Sequence, residues 1–284
     1  MINKSILFVV CLIFILLAIL WIAYNNKALE INTIVVTSNR LPKKFDGFRI
    51  AQISDLHNAE FGNNNSQLIS ALENADADII VITGDMVDSR RTKIDRAVHF
   101  ADRAVKIAPT YYVNGNHESR IHDAEYKHLI TRLEYAGVTV LENEVAEISM
   151  EDASITLVGL NDPRFQMELI DDTMERNIVR KQMGVVPKND AYKVLLIHRP
   201  EYFDEYAGNV DLVFSGHAHG GQFILPFVGG VLAPGQGLFP QYCDGLYTQG
   251  TTNMIVSRGL GNSLFPFRIN NRPEVIVAEL NAES

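Results

Sequence analysis

Seven side chains combine metal-binding chemistry with one recurring local setting. The stretch Gly216-His217-Ala218-His219-Gly220-Gly221-Gln222 follows the apolar run Leu212-Val213-Phe214. Two imidazoles two residues apart project to the same side of an extended chain, and the glycines let the backbone turn sharply against a ligand. A polar donor directly after an apolar run recurs at Asp55 and His57, at Asp85, at Asn116 and at His198. A reactive group at the carboxyl end of a strand, followed by a turn, is the general geometry of α/β sites. One such group is ordinary, because an aspartate there usually caps a turn and a lone histidine is usually structural. Five strand ends with matching chemistry are a different matter.

The set holds two carboxylates, one amide oxygen and four imidazoles. These are borderline to hard ligands, suited to manganese, iron or zinc. Seven donors are too many for one tetrahedral zinc; they suit two divalent ions with one carboxylate bridging. Two ions bring about +4, two aspartates remove about 2 and a bridging hydroxide about 1 more. The surplus would attract an anionic phosphate. Such ions sit ~3.5–4 Å apart, lower the pKa of bound water and clamp the oxygens of an in-line displacement.

The elements that must position these groups are legible from hydrophobic periodicity. Strands are expected at Ile31–Val36, Arg49–Ser54, Ile79–Thr83, Thr110–Val113, Tyr192–Ile197, Asp211–Ser215, Met254–Ser257 and Val275–Leu280. Helices are expected over Ser66–Asn74, along the stripe from Ile94 to Val105, over Asp123–Ala136 before Gly137, and over Asp171–Gln182. Val138–Leu141, Val145–Met150 and Ser154–Gly159 follow one another without helices, which suggests a second, partly antiparallel sheet. The sum is an α/β sandwich of two sheets with helices outside, βαβ-like in its first half and more antiparallel in its second.

The chain has 284 residues, enough for one large domain, and a formal charge of -9, which argues against a nonspecific nucleic-acid partner. Cys11 and Cys243 imply neither a disulfide framework nor a cysteine zinc site. Ser5 to Tyr24 is uncharged and almost wholly apolar. About 20 helical residues span a bilayer core, so the expectation is an uncleaved single-pass anchor, with Trp21 and Tyr24 at the interface. A cleaved signal peptide would have a shorter apolar region and a small-residue cleavage site, and a lipoprotein would have small residues where Val9 and Val10 precede Cys11. The expected division is an anchor over 1–26, a tether with a first strand over 27–46 and a catalytic domain over 47–284. Lys4 favours an inside amino terminus and an extracytoplasmic domain, whereas Lys27, Arg40, Lys43 and Lys44 lie on the other flank.

Taken together, Asp55-x-His57, Gly84-Asp85-x-x-Asp88, Gly115-Asn116-His117-Glu118, His198 and Gly216-His217-x-His219 resemble the signature of calcineurin-like metallophosphoesterases, in order and across roughly Phe45 to Leu280. Gly220-Gly221-Gln222, Ser257-Arg258-Gly259-Leu260-Gly261 and the stretch from Arg268 to Glu274 are similar to its membrane-anchored bacterial branch. The resemblance implies a four-layer αββα sandwich with a dinuclear site between the sheets. It implies that Asp55, His57, Asp85 and His219 hold one metal, and that Asp85, Asn116, His198 and His217 hold the other. Hydroxide between the ions would attack phosphorus. His117 would stand near the leaving oxygen, as general acid or as a stabiliser of developing charge; the alternative is a partner that orients a ligand. Asp88 and Glu118 are read as orienting residues. Ala218 stands where relatives often carry a hydroxyl residue, and the site is expected to survive that change.

The expected function is a membrane-anchored, dinuclear-metal phosphodiesterase acting on a lipid-linked or envelope-derived ester. The alternatives are a phosphomonoesterase on proteins or nucleotides and a non-catalytic, metal-stabilised binding module. His99, His122 and His128 are read as surface or capping residues. Arg258 and Arg268 suit a substrate phosphate or a structural role. Asp162-Pro163-Arg164 is placed at the pocket rim. Phe223, Leu225, Phe227, Phe239 and Phe265 are read as core residues or as a rim for an acyl chain.

Overall fold

The computed structural model describes residues 4–165, 171–262 and 265–283. It opens with helix α1 (Lys4–Asn25), which has no buried residue and is long and apolar enough to cross a membrane. The elements that follow are β1 (Glu30–Ser38), β2 (Arg49–Ile53), α2 (Ser66–Ala75), β3 (Ile79–Thr83), α3 (Ile94–Ala104), β4 (Thr110–Val113), α4 (Asp123–Tyr135) and β5 (Thr139–Val140). The second half holds β6 (Glu144–Met150), β7 (Ala153–Gly159), α5 (Asp172–Gln182), β8 (Lys193–Leu196), α6 (Phe203–Tyr206) and β9 (Leu212–Ser215). Two small hairpins come next, β10 (Ile224–Leu225) with β11 (Gly229–Gly230) and β12 (Leu232–Ala233) with β13 (Gly237–Leu238), then β14 (Gly245–Gln249), β15 (Thr252–Val256) and β16 (Glu274–Ala282).

The large strands form two six-stranded sheets, ordered β1-β16-β2-β3-β4-β5 and β14-β15-β9-β8-β7-β6. Period-2 alternation sorts their side chains into three cores. In β3, Ile80 and Ile82 pack outward with Leu68 of α2, Phe100 of α3 and Leu129 of α4. Ile79 and Val81 point the other way and meet Leu157, Val194, Leu196 and Phe214 of the second sheet. On that sheet, Leu195 and Ile197 face outward onto Val179 of α5 and Phe203 and Tyr206 of α6. Helix, sheet, sheet, helix is the four-layer sandwich expected.

Two expectations about strands need correction. The run expected over 138–141 does not join a second sheet; Thr139 and Val140 pair parallel with Tyr111 and Tyr112 of β4. Helix α4 is the crossover that returns the chain parallel, and Gly137 at φ 99 reverses it. The second sheet is also less antiparallel than expected. Its β7-β8, β8-β9 and β9-β15 pairs are parallel, and only the edge pairs β6-β7 and β14-β15 are antiparallel. The crossovers over α5, over α6 and through the hairpin loops make this so. The strand expected over 31–36 runs from Glu30 to Ser38 and pairs with β16 along its whole length.

Candidate metal centre

All five strand ends meet at one place, where the two sheets face each other. The backbone does not stay extended there. Asp55, His57, Asp85, His217 and His219 have φ of 52°, 45°, 52°, 65° and 48°. Left-handed backbone is costly for residues with a Cβ and is held only when the surroundings dictate it. Here adjacent loops brace one another: the Asp55 N–H donates to Gly84 O at 3.0 Å, His57 N–H to Asp85 O at 2.9 Å and Gly216 N–H to His198 O at 2.9 Å. Gly216 lets the loops of the two sheets approach closely, since a Cβ there would collide with Ser54 Oγ and the Asp55 carboxylate. The buried Gln52 amide donates across the gap to Ser215 O at 2.8 Å.

The donor atoms then fall into two groups. His219 Nε2 lies 3.2 Å from His57 Nε2 and 3.4 Å from Asp55 Oδ1. His198 Nε2 lies 3.1 Å from His217 Nδ1 and 3.2 Å from Asn116 Oδ1. Asp85 Oδ2 sits between the groups, 3.6 Å from His57 Nε2 and 3.3 Å from His198 Nε2. Its other oxygen accepts the His117 N–H at 2.8 Å, which fixes the carboxylate. Asp55-His57-His219 and Asp85-His198-His217 are each compact enough to hold an ion. His217 and His219 therefore do not act from one side of an extended strand. Their left-handed φ values, with Ala218 at φ -75 between them, turn the two rings into different groups.

The electrostatics fit divalent cations. His57 is held down at about 3 by burial, and burial holds His217 and His219 well below the ordinary imidazole value. Burial also pushes Asp55 up to about 6. Against its own desolvation, His198 is lifted to about 10 by the Asp85 carboxylate. The pocket thus gathers neutral imidazoles and buried carboxylates, and the field that raises His198 is the one that would favour a bound cation. Arg199 Nη1 lies 3.3 Å from His217 Nε2 and Arg268 Nη2 3.3 Å from His219 Nδ1, so each neutral ring turns its other nitrogen to the partner imidazole at 3.1–3.2 Å, where a cation would replace the proton between the two rings. His198 Nδ1–H donates to Thr83 O at 2.7 Å, so Nε2 is the atom offered to the centre. Imidazole, amide and carboxylate donors suit manganese, iron and zinc alike.

His117 lines the same cavity, about 310 Å³ in volume, and its ring centroid is 4.4 Å from that of His57. Its Nδ1 accepts the Ser89 backbone N–H at 3.0 Å, which leaves the proton of the neutral ring on Nε2. Glu118 is buried, and its carboxylate accepts N–H groups from Asp85, Gly115 and Val87, stapling the β3 and β4 loops together. Asp88 Oδ1 accepts from the Arg90 backbone at 3.0 Å and lies 3.7 Å from His117 Nδ1.

Of the remaining residues, Arg164 lines the cavity. Asp162 is buried behind it, accepting from Arg199 Nε at 2.6 Å. Arg258 and Arg268 do not line it. Arg258 is paired with Glu274 at 2.7 Å and Glu30 at 2.8 Å, and Arg268 is buried against the carbonyls of Arg258 and Gly259. Arg258 is thus tied into the fold, and the Arg268 guanidinium also reaches a candidate ligand, with Nη2 3.3 Å from His219 Nδ1. His99, His122 and His128 are exposed. Phe223, Leu225, Phe227, Phe239 and Phe265 are not core: none is buried, and Phe227 is fully exposed at a hairpin tip. Sequence reasoning missed Ser89, Gln52, Arg120 and Arg199; the contacts of Ser89 with His117, of Gln52 with Ser215 and of Arg199 with Asp162 are set by the tertiary fold.

A sandwich with this donor set between its sheets defines a dinuclear metal-dependent hydrolase. The calcineurin-like phosphoesterase profile matches residues 48–221, and the chain belongs to that family. It is a metal-dependent phosphoric ester hydrolase. It is 32% identical over 257 residues to metallophosphoesterase YkuE of Bacillus subtilis, covering 87% of this chain and 84% of that one. It is 30% identical over 245 residues to phosphodiesterase YaeI of Escherichia coli, covering 82% of each. A transmembrane protein with metallophosphoesterase domain from Danio rerio is 26% identical over 83% of this chain and 54% of its own length.

Proposed function

We propose that the chain is a membrane-anchored phosphodiesterase whose metal ligands are Asp55, His57, Asp85, Asn116, His198, His217 and His219. The observation that carries this is Asp85 Oδ2, placed 3.6 Å and 3.3 Å from the leading imidazoles of two separate donor groups. Two bound divalent ions would supply Lewis acidity and a water of lowered pKa. The chain's own part is to hold the donors, exclude bulk water and receive the leaving oxygen. His117 suits that last task. With Nδ1 occupied by the Ser89 N–H, its Nε2–H is a donor within the cavity, so it stabilises developing negative charge instead of acting as a doubly protonated acid. The name of YaeI supports a diester.

Residues 1–26 are read as the anchor, 27–46 as the segment that starts the sheet, and 47–284 as the catalytic domain, on the extracytoplasmic side as Lys4 favours. Two features support a lipid-linked substrate. Asn26, one residue after α1, grips the Arg268 backbone, accepting its N–H at 2.8 Å and donating to its carbonyl at 2.9 Å. Phe267 and Phe223 pack beside that point with ring centroids 5.7 Å apart, and the exposed Phe227 and Phe239 belong to the segment whose Pro234 and Gly235 line the cavity. The test is hydrolysis of bis(p-nitrophenyl) phosphate and p-nitrophenyl phosphate in manganese buffer. Asp85→Ala or Asn116→Ala should lower diester turnover by on the order of 10³-fold or more with the fold intact. Unchanged turnover would sink the ligand assignment, and a monoester preference would sink the diester reading.

A further inference from the structure

Four arginines, Arg90, Arg120, Arg164 and Arg199, line the metal cavity. Three of them have carboxylates. Arg90 pairs with Asp88 at 3.2 Å, Arg164 with Glu175 at 2.8 Å, and the buried Arg199 with Asp162 at 2.6 Å and Glu201 at 3.1 Å. The Arg120 side chain has no hydrogen-bond or ion-pair partner among the described residues. It closes the short turn Glu118–Arg120, whose first bond runs from the Arg120 N–H to His117 O at 3.1 Å. That turn carries its guanidinium from His117 to the cavity mouth.

Arg120 and Arg164 also line a neighbouring cleft of about 920 Å³, which adds Lys127 from α4. They are the charged wall that the two cavities share. The carboxylate closest in sequence, Glu118, is spent on three backbone N–H groups and does not neutralise them. Asp123 is the other carboxylate lining the cleft. Arg120 is exposed and Arg164 half-buried, so an anion entering the cavity meets two guanidinium groups on one wall, and planar guanidinium groups suit phosphate or carboxylate.

We propose that Arg120 and Arg164 form a subsite for a second anionic group of the substrate, a phosphate or carboxylate set beyond the scissile phosphate and leading into the cleft. This rests on the phosphodiesterase reading of the metal centre. The substrate class is then a diester with at least two separated anionic groups.

The test uses the full chain in detergent with manganese and three p-nitrophenyl diesters. One is bis(p-nitrophenyl) phosphate, with a single anion; the others carry 4-carboxyphenyl or 4-phosphonophenyl as the non-leaving group. The native chain should show a KM for at least one tailed diester lower by on the order of tenfold, the scale of a charge-assisted contact. Arg120→Ala and Arg164→Ala should each erase most of that preference, and Arg120→Lys should restore part of it. The preferred tail tells phosphate from carboxylate. No preference in a native chain that hydrolyses bis(p-nitrophenyl) phosphate overturns this inference alone, as does a preference that survives both alanine variants. Failure to hydrolyse any of the three overturns the reading beneath it as well.

Discussion

At the scale of single residues, the question is what divides His217 from His219. Both imidazoles come from one turn, yet His217 Nδ1 is 3.1 Å from His198 Nε2 while His219 Nε2 is 3.2 Å from His57 Nε2. Each should hold a different ion. Metal analysis of His217→Ala and of His219→Ala should give roughly one ion per chain against two in the native protein. Combinations discriminate further. Adding His57→Ala to His219→Ala should cost little more, because both serve one ion, whereas joining His217→Ala to His219→Ala should empty the centre. Equal losses from the two double variants would defeat the division. Ala218 is fully buried among Val213, Tyr206 and Met254, so Ala218→Ser should keep both ions and cost about 1 kcal/mol for its buried hydroxyl. Residue types and strand-end positions made the candidate donors legible in the sequence. Their assignment to two groups follows from φ values near 50–65°, which spacing does not encode.

At the scale of elements, the site depends on how the second half is tied to itself. Arg199 follows β8, yet its guanidinium reaches Asp162 after β7 at 2.6 Å and Glu175 of α5 at 3.6 Å, and it lies 3.3 Å from His217 Nε2 after β9. All of these groups are buried. Removing one partner of a buried ion network leaves carboxylates with no counter-charge and costs about 3–5 kcal/mol. Arg199→Ala should lower the denaturation midpoint accordingly, and a loss under about 1 kcal/mol would show that water satisfies the carboxylates instead. This linkage was not visible beforehand, because Asp162 and Arg199 are 37 positions apart with nothing periodic between them. The strands themselves were visible, since runs such as Ile79–Thr83 are apolar on both faces. Sheet membership was not: β5 reads like its neighbours β6 and β7, and only the crossover through α4 sends it to the first sheet.

At the scale of the whole molecule, the centre draws on both sheets. Asp55, His57, Asp85, Asn116 and His117 follow strands of the first sheet, and His198, His217 and His219 follow strands of the second. An ion held by Asp85 and His198 is therefore a cross-link between the sheets, beside the direct links from Gln52 to Ser215 O and from His198 to Thr83 O. The apolar interface of Ile79, Val81, Leu157, Val194, Leu196 and Phe214 does not depend on that cross-link. Chelation should therefore leave the protein folded but easier to melt. Ligand that binds only the folded chain stabilises it by RT ln(1 + [L]/Kd), about 2.7 kcal/mol at a hundredfold excess over Kd for each site. Thermal melts of EDTA-treated protein should shift down and return on adding manganese. Asp85→Ala should melt at the same temperature with and without manganese, because it loses the carboxylate shared by both groups. A chelated native protein that melts unchanged would mean that the donors converge without binding metal tightly, and the cross-link would have to be abandoned. Unfolding at room temperature would instead mean that the apolar interface is too weak to hold the sheets together alone.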